Sequence, residues 1–307
     1  MRVVFLGTPD FSVLPLKAVY EKKGVELIGV VCNKDKPVGR KRTITPPPVK
    51  VMAESLGVPV YQYDKIRVEG VNDLKALKPD LMITCAFGQI LSQEILDIAP
   101  LGVINIHASL LPKFRGASPI QTSILAGEKK TGVTIMKTDI GIDTGDIICA
   151  IETDILETET AGELFDRLSL IGAKAIDKAL DMFLTGKVDY TPQDEEKASH
   201  TKMIKKEDAF IDFNENAQDI VNKVRAFNPS PIAFATLNGE PFKIYKAEVC
   251  AQKGEVGKVI KSDVELIIGA KDFSVKLLTV QKFGGKAMDI KDFLRGNKIE
   301  LNSYLSK

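Results

Sequence analysis

The sequence has few cysteines and histidines and no long apolar run. Its four cysteines form no C-x-x-C pair, and His107 and His200 are the only histidines that could join them as ligands. We therefore expect no metal site, and free thiols in a reducing compartment. No apolar run approaches the roughly 18 residues that span a membrane, and Gly7-Thr8-Pro9-Asp10 interrupts the amino-terminal segment before an export signal forms. These features predict a soluble, cytoplasmic protein with no membrane partner.

A large net charge is also missing. The chain carries 42 basic and 41 acidic residues, for a net charge of +1, so the molecule as a whole does not attract a polyanion. Two segments depart from this balance. Residues 34–50 contain six basic side chains and one acidic one, and residues 243–298 contain twelve basic and seven acidic ones. Basic loops are often only solvated surface, but two such segments in a near-neutral chain favour a local site for a polyanion.

The length and the apolar pattern predict two domains. A chain of 307 residues exceeds the size at which single cores stop growing comfortably. In the first half, short strands rich in valine and isoleucine alternate with amphipathic helices, which predicts an α/β fold with a Rossmann-like, mostly parallel sheet. The predicted strands are 2–6, 26–32, 80–85, 103–107 and 132–137, and the predicted helices include 13–21, 49–56, 119–125 and 160–184.

The second half has a different texture. Residues 187–206 are polar and show little periodicity, so we expect a catalytic domain over 1–189, a linker over 190–206 and a second domain over 207–307. Several short strands with turn signals follow a short helix there, which predicts a small β-barrel. The predicted strands are 232–237, 241–247, 257–260, 265–268 and 274–280.

Several familiar catalytic motifs are absent or incomplete. The turn 7–11 has a single glycine and matches neither G-x-G-x-x-G nor a Walker A loop, so we expect no nicotinamide cofactor. Asp143-Thr144-Gly145 imitates one half of an aspartic protease, but the second carboxylate motif that would share a proton is missing. The G-x-S-x-G motif is absent as well, which argues against a serine hydrolase.

A polar pair interrupts one of the predicted apolar strands. Asn105 and His107 are two residues apart, so both side chains project from one face of the sheet, at the carboxyl end where open α/β sheets bind ligands. Pro112 stiffens the loop that follows and leaves open whether the Leu111–Pro112 bond is cis. Asp143 lies in an acidic, glycine-punctuated turn after the strand 132–137.

In combination these motifs resemble those of a known family. Asn105-x-His107, Ser109-Leu110-Leu111-Pro112, Arg115-Gly116 and Asp143 are similar to the formyltransferases that use 10-formyltetrahydrofolate. The chain resembles most closely the branch of this family that formylates methionyl-tRNA. The likeness covers nearly the whole length, with further matches at Phe5-Leu6-Gly7-Thr8-Pro9, Pro37-x-Gly39-Arg40, Gly132-Val133-Thr134-Ile135-Met136 and Arg225-Ala226-Phe227-Asn228-Pro229.

The resemblance implies a reaction and its catalytic residues. A formyl group would pass from 10-formyltetrahydrofolate, the cosubstrate, to the α-amino group of methionyl-initiator tRNA, for translation initiation. Such acyl transfer needs a proton shuttle and a donor to the developing oxyanion. His107 suits the first role and Asn105 the second, while Asp143 would orient His107, stabilise its cation or position a water. No metal is required.

The resemblance also implies binding residues. The folate cosubstrate is expected at Phe87, Gly88, Gln89, Ile90 and Leu91 and at Ser109, Leu110, Leu111 and Pro112. The tRNA is expected at the basic insertion through Arg40, Lys41 and Arg42, with Lys205 and Lys206 near the linker as further candidates. The second domain, an OB-like barrel by resemblance, would add a surface that follows the phosphate backbone.

Two other functions remain open. A related formyltransferase could act on a small amine such as glycinamide ribonucleotide or an amino sugar, although those substrates need neither a basic insertion nor a second domain of this size. The chain could also be a non-catalytic RNA-binding protein on an enzyme-derived scaffold, against which the presence of Asn105, His107 and Asp143 together argues. The sequence is silent on oligomeric state, and analogy favours a monomer.

Overall fold

The computed structural model describes residues 1–39 and 41–306. The chain folds into two compact units. Unit 1 comprises Met1–Pro119, Lys130–Asp154 and Phe165–Thr201. Unit 2 comprises Ile120–Lys129, Ile155–Leu164 and the chain from Lys202 onward. Each unit has its own apolar core, as expected for a chain of this length.

A seven-stranded sheet forms the centre of unit 1. Its order is β10-β9-β7-β6-β1-β2-β5, in which the five strands β1, β2, β5, β6 and β7 run parallel and β9 and β10 form an antiparallel edge. The strands of unit 1 are β1 Arg2–Gly7, β2 Glu26–Cys32, β3 Lys36–Val38, β4 Thr43–Thr45, β5 Val60–Gln62, β6 Leu81–Cys85, β7 Val103–His107, β8 Arg115–Gly116, β9 Lys130–Lys137, β10 Ile147–Asp154 and β11 His200–Thr201. The predicted α/β fold with a mostly parallel sheet is confirmed.

Helices connect these strands. They are α1 Val13–Glu21, α2 Pro48–Ser55, α3 Ile66–Glu69, α4 Val71–Leu77, α5 Gln93–Leu96, α6 Pro119–Leu125 and α7 Ala161–Leu184. Pro48 begins α2 because a proline at the first helical position loses no hydrogen bond. β1 and β6 are buried almost throughout, as continuous apolar runs require when both faces of a sheet are covered. None of the helices in the described ranges is long and apolar enough to cross a membrane.

Unit 2 is built around an antiparallel sheet in the order β14-β15-β16-β13-β12-β18. Its elements are α8 Ala217–Ala226, β12 Ala233–Leu237, β13 Glu240–Cys250, β14 Val259–Ser262, β15 Leu266–Gly269, β16 Ser274–Lys282, β17 Met288–Asp289, α9 Ile290–Gly296 and β18 Leu305–Ser306. The N–H of Val259 donates to the carbonyl of Ser303, and that of Leu305 donates to the carbonyl of Gly257, so the first and last strands meet and the sheet closes into a small barrel.

The stretch predicted as a linker is more ordered than its composition suggests. Residues 190–201 belong to unit 1 and 202–206 to unit 2. Thr191 bridges to Ile147, a 3-10 helix forms over Glu195–Lys197, and β11 pairs with β8. Side-chain bonds to distant parts of the chain hold this stretch in place, and neither periodicity nor propensity records them. The division into 1–189, 190–206 and 207–307 therefore remains a sequence-based proposal.

Candidate active site

The strand β7 brings the two polar residues of its motif to one face of the sheet. Asn105 is half-buried and His107 is only 5% exposed. Thr84, opposite Asn105 on the neighbouring strand β6, donates its hydroxyl to Asn105 Oδ1 at 2.9 Å. Because its oxygen already accepts this bond, the Asn105 amide is oriented with Nδ2 pointing away from Thr84.

Asn105 Nδ2 points towards the carboxylate of Asp143. The amide donates to Asp143 Oδ1 at 3.2 Å, and the backbone N–H of Gly116 donates to Asp143 Oδ2 at 2.8 Å. Asp143 itself has a φ of 55°, in the left-handed region that side chains rarely adopt. Two segments of unit 1, β7 and β8, thus fix the position of this carboxylate.

The imidazole of His107 faces the same carboxylate. Its Nε2 lies 3.0 Å from the carbonyl oxygen of Phe114, which can only accept, so Nε2 carries a proton. Its Nδ1 lies 3.5 Å from Asp143 Oδ2. In the neutral ring this Nδ1 bears the lone pair, and it is the atom at which the ring can take up a further proton beside a negative charge. The predicted amide, imidazole and carboxylate therefore converge.

The loop between β7 and β8 is held by its own polar groups. Ser109 donates its hydroxyl to the carbonyl of Lys113, and Thr134 of β9 accepts from the backbone of Leu111 and donates to the carbonyl of Ser109. The Leu111–Pro112 bond is cis. Ser109 and Leu111 are buried, whereas Leu110 and Pro112 are half-buried. The loop is therefore rigid next to His107.

The second predicted folate segment follows β6 at the same end of the sheet. Phe87 is buried, and its carbonyl accepts from Thr8 and Asn33. The Gln89 side chain donates hydrogen bonds to Asn33 Oδ1 and the carbonyl of Tyr63 and accepts one from the N–H of Ile66, so it holds the loop together. Gly88 is exposed and Ile90 is 73% exposed, while Leu91 packs partly on the core.

The backbone of this segment is available to a ligand. Across 1–39 and 41–306, no hydrogen bond engages the backbone N–H groups of residues 88–91. Gly88 has a φ of 76°, and a Cβ there would meet only the Asn33 amide, at 3.9 Å. A flat heterocycle can approach such a backbone closely.

The basic insertion forms a small antiparallel hairpin. β3 and β4 pair in the register Lys36–Thr45 to Val38–Thr43, and both strands are exposed. Lys41 and Arg42 are exposed at the turn, and neither takes part in an ion pair among the residues the structure describes. Arg40 lies outside the described residues. The sequence predicted a basic loop. In the structure the insertion is a hairpin, and Lys41 and Arg42 lie exposed at its turn.

The other predicted tRNA contacts lie in unit 2. Lys205 and Lys206 are exposed at the start of the 3-10 helix Lys206–Ala209, and the backbone N–H of Lys205 donates to Asp208.

The cysteines are free; Cys32 and Cys85 are buried and the other two are half-buried. No group of three or more His, Cys, Asp and Glu side chains in the described part of the chain could hold a metal ion.

Several residues that shape the site are not evident from the sequence. Thr84 orients Asn105, and Asn33 holds the Phe87 loop; each lies in or directly after a strand beside the site, which is the one signal that could have found them. Gln193, Glu195, Ser199 and Thr201 contact the loops that carry Asp143 and Gly116. No sequence signal marks these four, because they lie in a polar stretch without periodicity.

These features place an amide, an imidazole and a carboxylate together on a Rossmann-like sheet, and comparison with known proteins identifies the family. The formyl transferase family model matches residues 1–180, and the model of the formyl transferase C-terminal domain matches residues 203–298. The chain belongs to the formyl transferase family.

Among its relatives is the methionyl-tRNA formyltransferase of Bacillus velezensis, 44% identical over 311 residues that cover 100% of this chain and 98% of the relative. The protein of the same name from Bacillus subtilis is 44% identical over 309 residues, covering 99% and 97%. An N-formyltransferase from Helicobacter canadensis, solved with folinic acid and dTDP-3-aminofucose, superposes with a TM-score of 0.72 at 21% identity, covering 92% of this chain and 99% of the other. The first two relatives match over full length, and the third shows the shared fold.

Proposed function

We propose that this protein transfers the formyl group of 10-formyltetrahydrofolate to the α-amino group of methionyl-initiator tRNA in the cytoplasm. The observation that carries the proposal is the convergence of Asn105, His107 and Asp143 at the carboxyl end of β7. The 44% identity to methionyl-tRNA formyltransferases over the whole chain supports the choice of acceptor.

The pair formed by His107 and Asp143 suits proton transfer. The attacking amine must lose a proton to form the new bond, and His107 Nδ1 is the ring atom free to take it. Asp143 lies 3.5 Å away and stabilises the imidazolium that results. The same proton can then pass to the departing folate nitrogen, which is a poor leaving group unless it is protonated.

Asn105 suits the stabilisation of negative charge on the formyl oxygen. Thr84 holds the Asn105 side chain so that one N–H of Nδ2 donates to Asp143, and the other N–H would donate to the formyl oxygen. A preoriented donor of this kind typically lowers an acyl-transfer barrier by about 3 kcal/mol, because no reorganisation is needed as the charge develops. The reaction needs no covalent intermediate on the protein.

The folate cosubstrate supplies the formyl group when bound. The free backbone N–H groups of residues 88–91 would hold the edge of the pterin, and the rigid loop Ser109–Pro112 would border the same space. Because Gln89 is tied to Asn33 and Tyr63, its contribution would come from its backbone rather than from its side chain.

The acceptor would be bound largely through its phosphates. The turn of the β3–β4 hairpin carries Lys41 and Arg42, with Arg40 beside them in the sequence. Lys205 and Lys206 in unit 2 are further exposed cations. Such contacts release counterions from RNA, so binding of the tRNA would weaken as salt increases. We expect the protein to act as a monomer.

Release of tetrahydrofolate tests the proposal. Mixing the protein with 10-formyltetrahydrofolate and charged initiator tRNA should release tetrahydrofolate in step with formylation of the tRNA. The variant His107→Ala should lose at least about a hundredfold in kcat while keeping its fold, because the proton shuttle is gone. Full activity of His107→Ala, or no release by the unaltered protein, would refute the proposal.

A further inference from the structure

A segment outside the proposed catalytic residues is hydrogen-bonded to the turn that carries Asp143 and to the loop that follows His107. Residues 191–201, here called the strap, connect to Ile147 through Thr191, to the loop between β7 and β8 through Ser199, and to Arg115 and Ser118 through Thr201. The backbone of Ser199 donates to the carbonyl of Pro112 and accepts from the N–H of Arg115. The strap is the last part of unit 1 before the chain enters unit 2.

The amide of Gln193 is the point at which the strap meets the Asp143 turn. Its Nε2 donates to the carbonyl of Asp143 at 2.9 Å and to the carbonyl of Gly145 at 2.7 Å. Its Oε1 accepts from Nε and Nη2 of Arg115, at 3.0 and 2.9 Å. Carbonyls can only accept and a guanidinium can only donate, so the orientation of this amide is fixed by its partners.

The Asp143 turn has a conformation that needs such support. Asp143 adopts a φ of 55°, which is unfavourable for a residue with a side chain. Gly145 fits closely against the carbonyl of Lys137, where a Cβ would clash. In this conformation the Asp143 carboxylate accepts from the N–H of Gly116 and faces His107. The two bonds from Gln193 hold the carbonyls on either side of Thr144, and therefore the backbone that aims the carboxylate.

Arg115 holds Gln193 from the other side. The Arg115 side chain is 2% exposed and forms a bidentate pair with Glu195 of the strap, with N–O distances of 2.9 and 2.7 Å. The Glu195 carboxylate raises the pKa of the Arg115 guanidinium, and the guanidinium lowers the pKa of Glu195. Both groups therefore stay charged at neutral pH, and the guanidinium has no freedom to turn away from Gln193.

We propose that Gln193 is a positioning residue for formyl transfer: it fixes the backbone of the Asp143 turn so that the carboxylate faces His107, and Arg115 with Glu195 fixes Gln193. The inference rests on the proposed function, because Asp143 acts in that reaction. It assigns to the strap a task in catalysis rather than only in joining two domains.

The direct test replaces the amide without changing its size. Gln193→Met is nearly isosteric and cannot donate, and Gln193→Glu offers a carboxylate to the two carbonyls that now accept. Gln252→Glu makes the same chemical change at an exposed site in unit 2 and serves as the control. A milder test is Glu195→Gln, which removes the charge paired with Arg115. Its control is Glu196→Gln, the same change at the exposed neighbouring residue.

Steady-state kinetics should separate positioning from stability. We expect both Gln193 variants to lose about 10- to 100-fold in kcat, as a displaced catalytic group does, while KM for the folate donor changes less than about threefold. Glu195→Gln should show a smaller loss of kcat, and the two controls should match the unaltered protein. Unchanged kcat in both Gln193 variants, or a loss that follows only the folded fraction, would overturn the inference.

A second readout does not depend on turnover. The chain has two histidines, so the imidazole NMR resonances of His107 and His200 are easily distinguished. In Gln193→Met the His107 resonance should move, because Asp143 no longer holds its place beside the ring, while Gln252→Glu should leave it unchanged. An unmoved His107 resonance would contradict the inference. If the unaltered protein forms no formylated tRNA, the proposed function fails, and this spectrum still decides whether Gln193 positions Asp143.

Discussion

At the scale of single residues, the site depends on how each functional group is oriented by a partner. Thr84 fixes the Asn105 amide, Phe114 fixes the proton on His107, and Gly116 fixes the carboxylate of Asp143. None of these partners has reactive chemistry of its own in this site. Their task is to remove freedom from the reacting groups, which is the main contribution that a preorganised site makes to rate.

Asn105→Asp should separate orientation from hydrogen-bond donation. The carboxylate keeps the size of the amide and can still accept from Thr84, but it has no N–H to offer the developing oxyanion and adds a like charge beside Asp143. We expect kcat to fall by at least about a hundredfold, with the melting temperature changed by only a few degrees. The control Asn302→Asp lies at an exposed turn and should leave kcat unchanged. Near-normal turnover by Asn105→Asp would exclude the amide as the oxyanion donor.

The thiols should be unreactive where they are buried. Burial raises the pKa of Cys32 to about 11 and that of Cys85 to about 12, so little thiolate exists at pH 8. Iodoacetamide should modify half-buried Cys250 at least about tenfold faster than either of them in the folded protein. Mass spectrometry of the labelled peptides measures this, and urea-unfolded protein should label all four at similar rates. Equal labelling of Cys32 and Cys250 in the native state would contradict the burial.

At the scale of elements, one close backbone approach, between β8 and β11, holds the chain beside the site. β11 pairs with β8, and Gly116 has a φ of 107° at this pairing. A Cβ on Gly116 would lie 2.8 Å from the carbonyl oxygen of Thr201. Only glycine combines this φ with this close approach, which explains the Arg115-Gly116 pair that the sequence shows.

Gly116→Ala should therefore cost both stability and activity. Gly186→Ala is the matched control, because Gly186 also has a positive φ, of 66°, but nothing lies within 4 Å of the added Cβ. We expect Gly186→Ala to lower the free energy of unfolding by about 1 kcal/mol from backbone strain alone, and Gly116→Ala to lower it by at least about 1 kcal/mol more. Denaturant unfolding of both variants measures the difference. An equal loss of unfolding free energy in the two variants would mean that β11 moves away from the added Cβ at no energetic cost.

The hairpin β3–β4 should set the salt dependence of tRNA binding. Replacing Arg40, Lys41 and Arg42 by alanine removes three cations, so the slope of log affinity for charged tRNA against log salt should decrease by about two to three. Binding of the folate donor should not change. A control with Lys23, Lys174 and Lys187 replaced, all exposed in unit 1, should keep the original slope. An unchanged slope in the hairpin variant would remove the hairpin from the tRNA interface.

The strands that carry the site were largely predictable from the sequence, and the strap that contacts it was not. The apolar runs 80–85, 103–107 and 132–137 predict β6, β7 and β9 closely, because strands buried on both faces are continuously apolar in sequence. The strap was predicted as a linker, since bonds such as Gln193 to Asp143 join residues 50 positions apart and leave no periodic trace. β10, β18 and the β3–β4 pairing were also missed, for their register depends on partners distant in sequence.

At the scale of the whole molecule, two units with different chemistry share one chain. Unit 1 carries the residues that we propose act in catalysis, and unit 2 is a closed antiparallel barrel with exposed lysines at its start. The second unit and the hairpin are accounted for if the acceptor is a large polyanion, although the net charge of the chain is only +1.

An acceptor panel tests this account most directly. The protein is given 10-formyltetrahydrofolate together with charged initiator tRNA, charged elongator methionyl-tRNA or glycinamide ribonucleotide, and formation of each formylated product is followed. We predict the highest kcat/KM for the initiator tRNA, a value at least about a hundredfold lower for the elongator tRNA, and no measurable product from the ribonucleotide. Preferential formylation of glycinamide ribonucleotide, or of none of the three, would contradict the account.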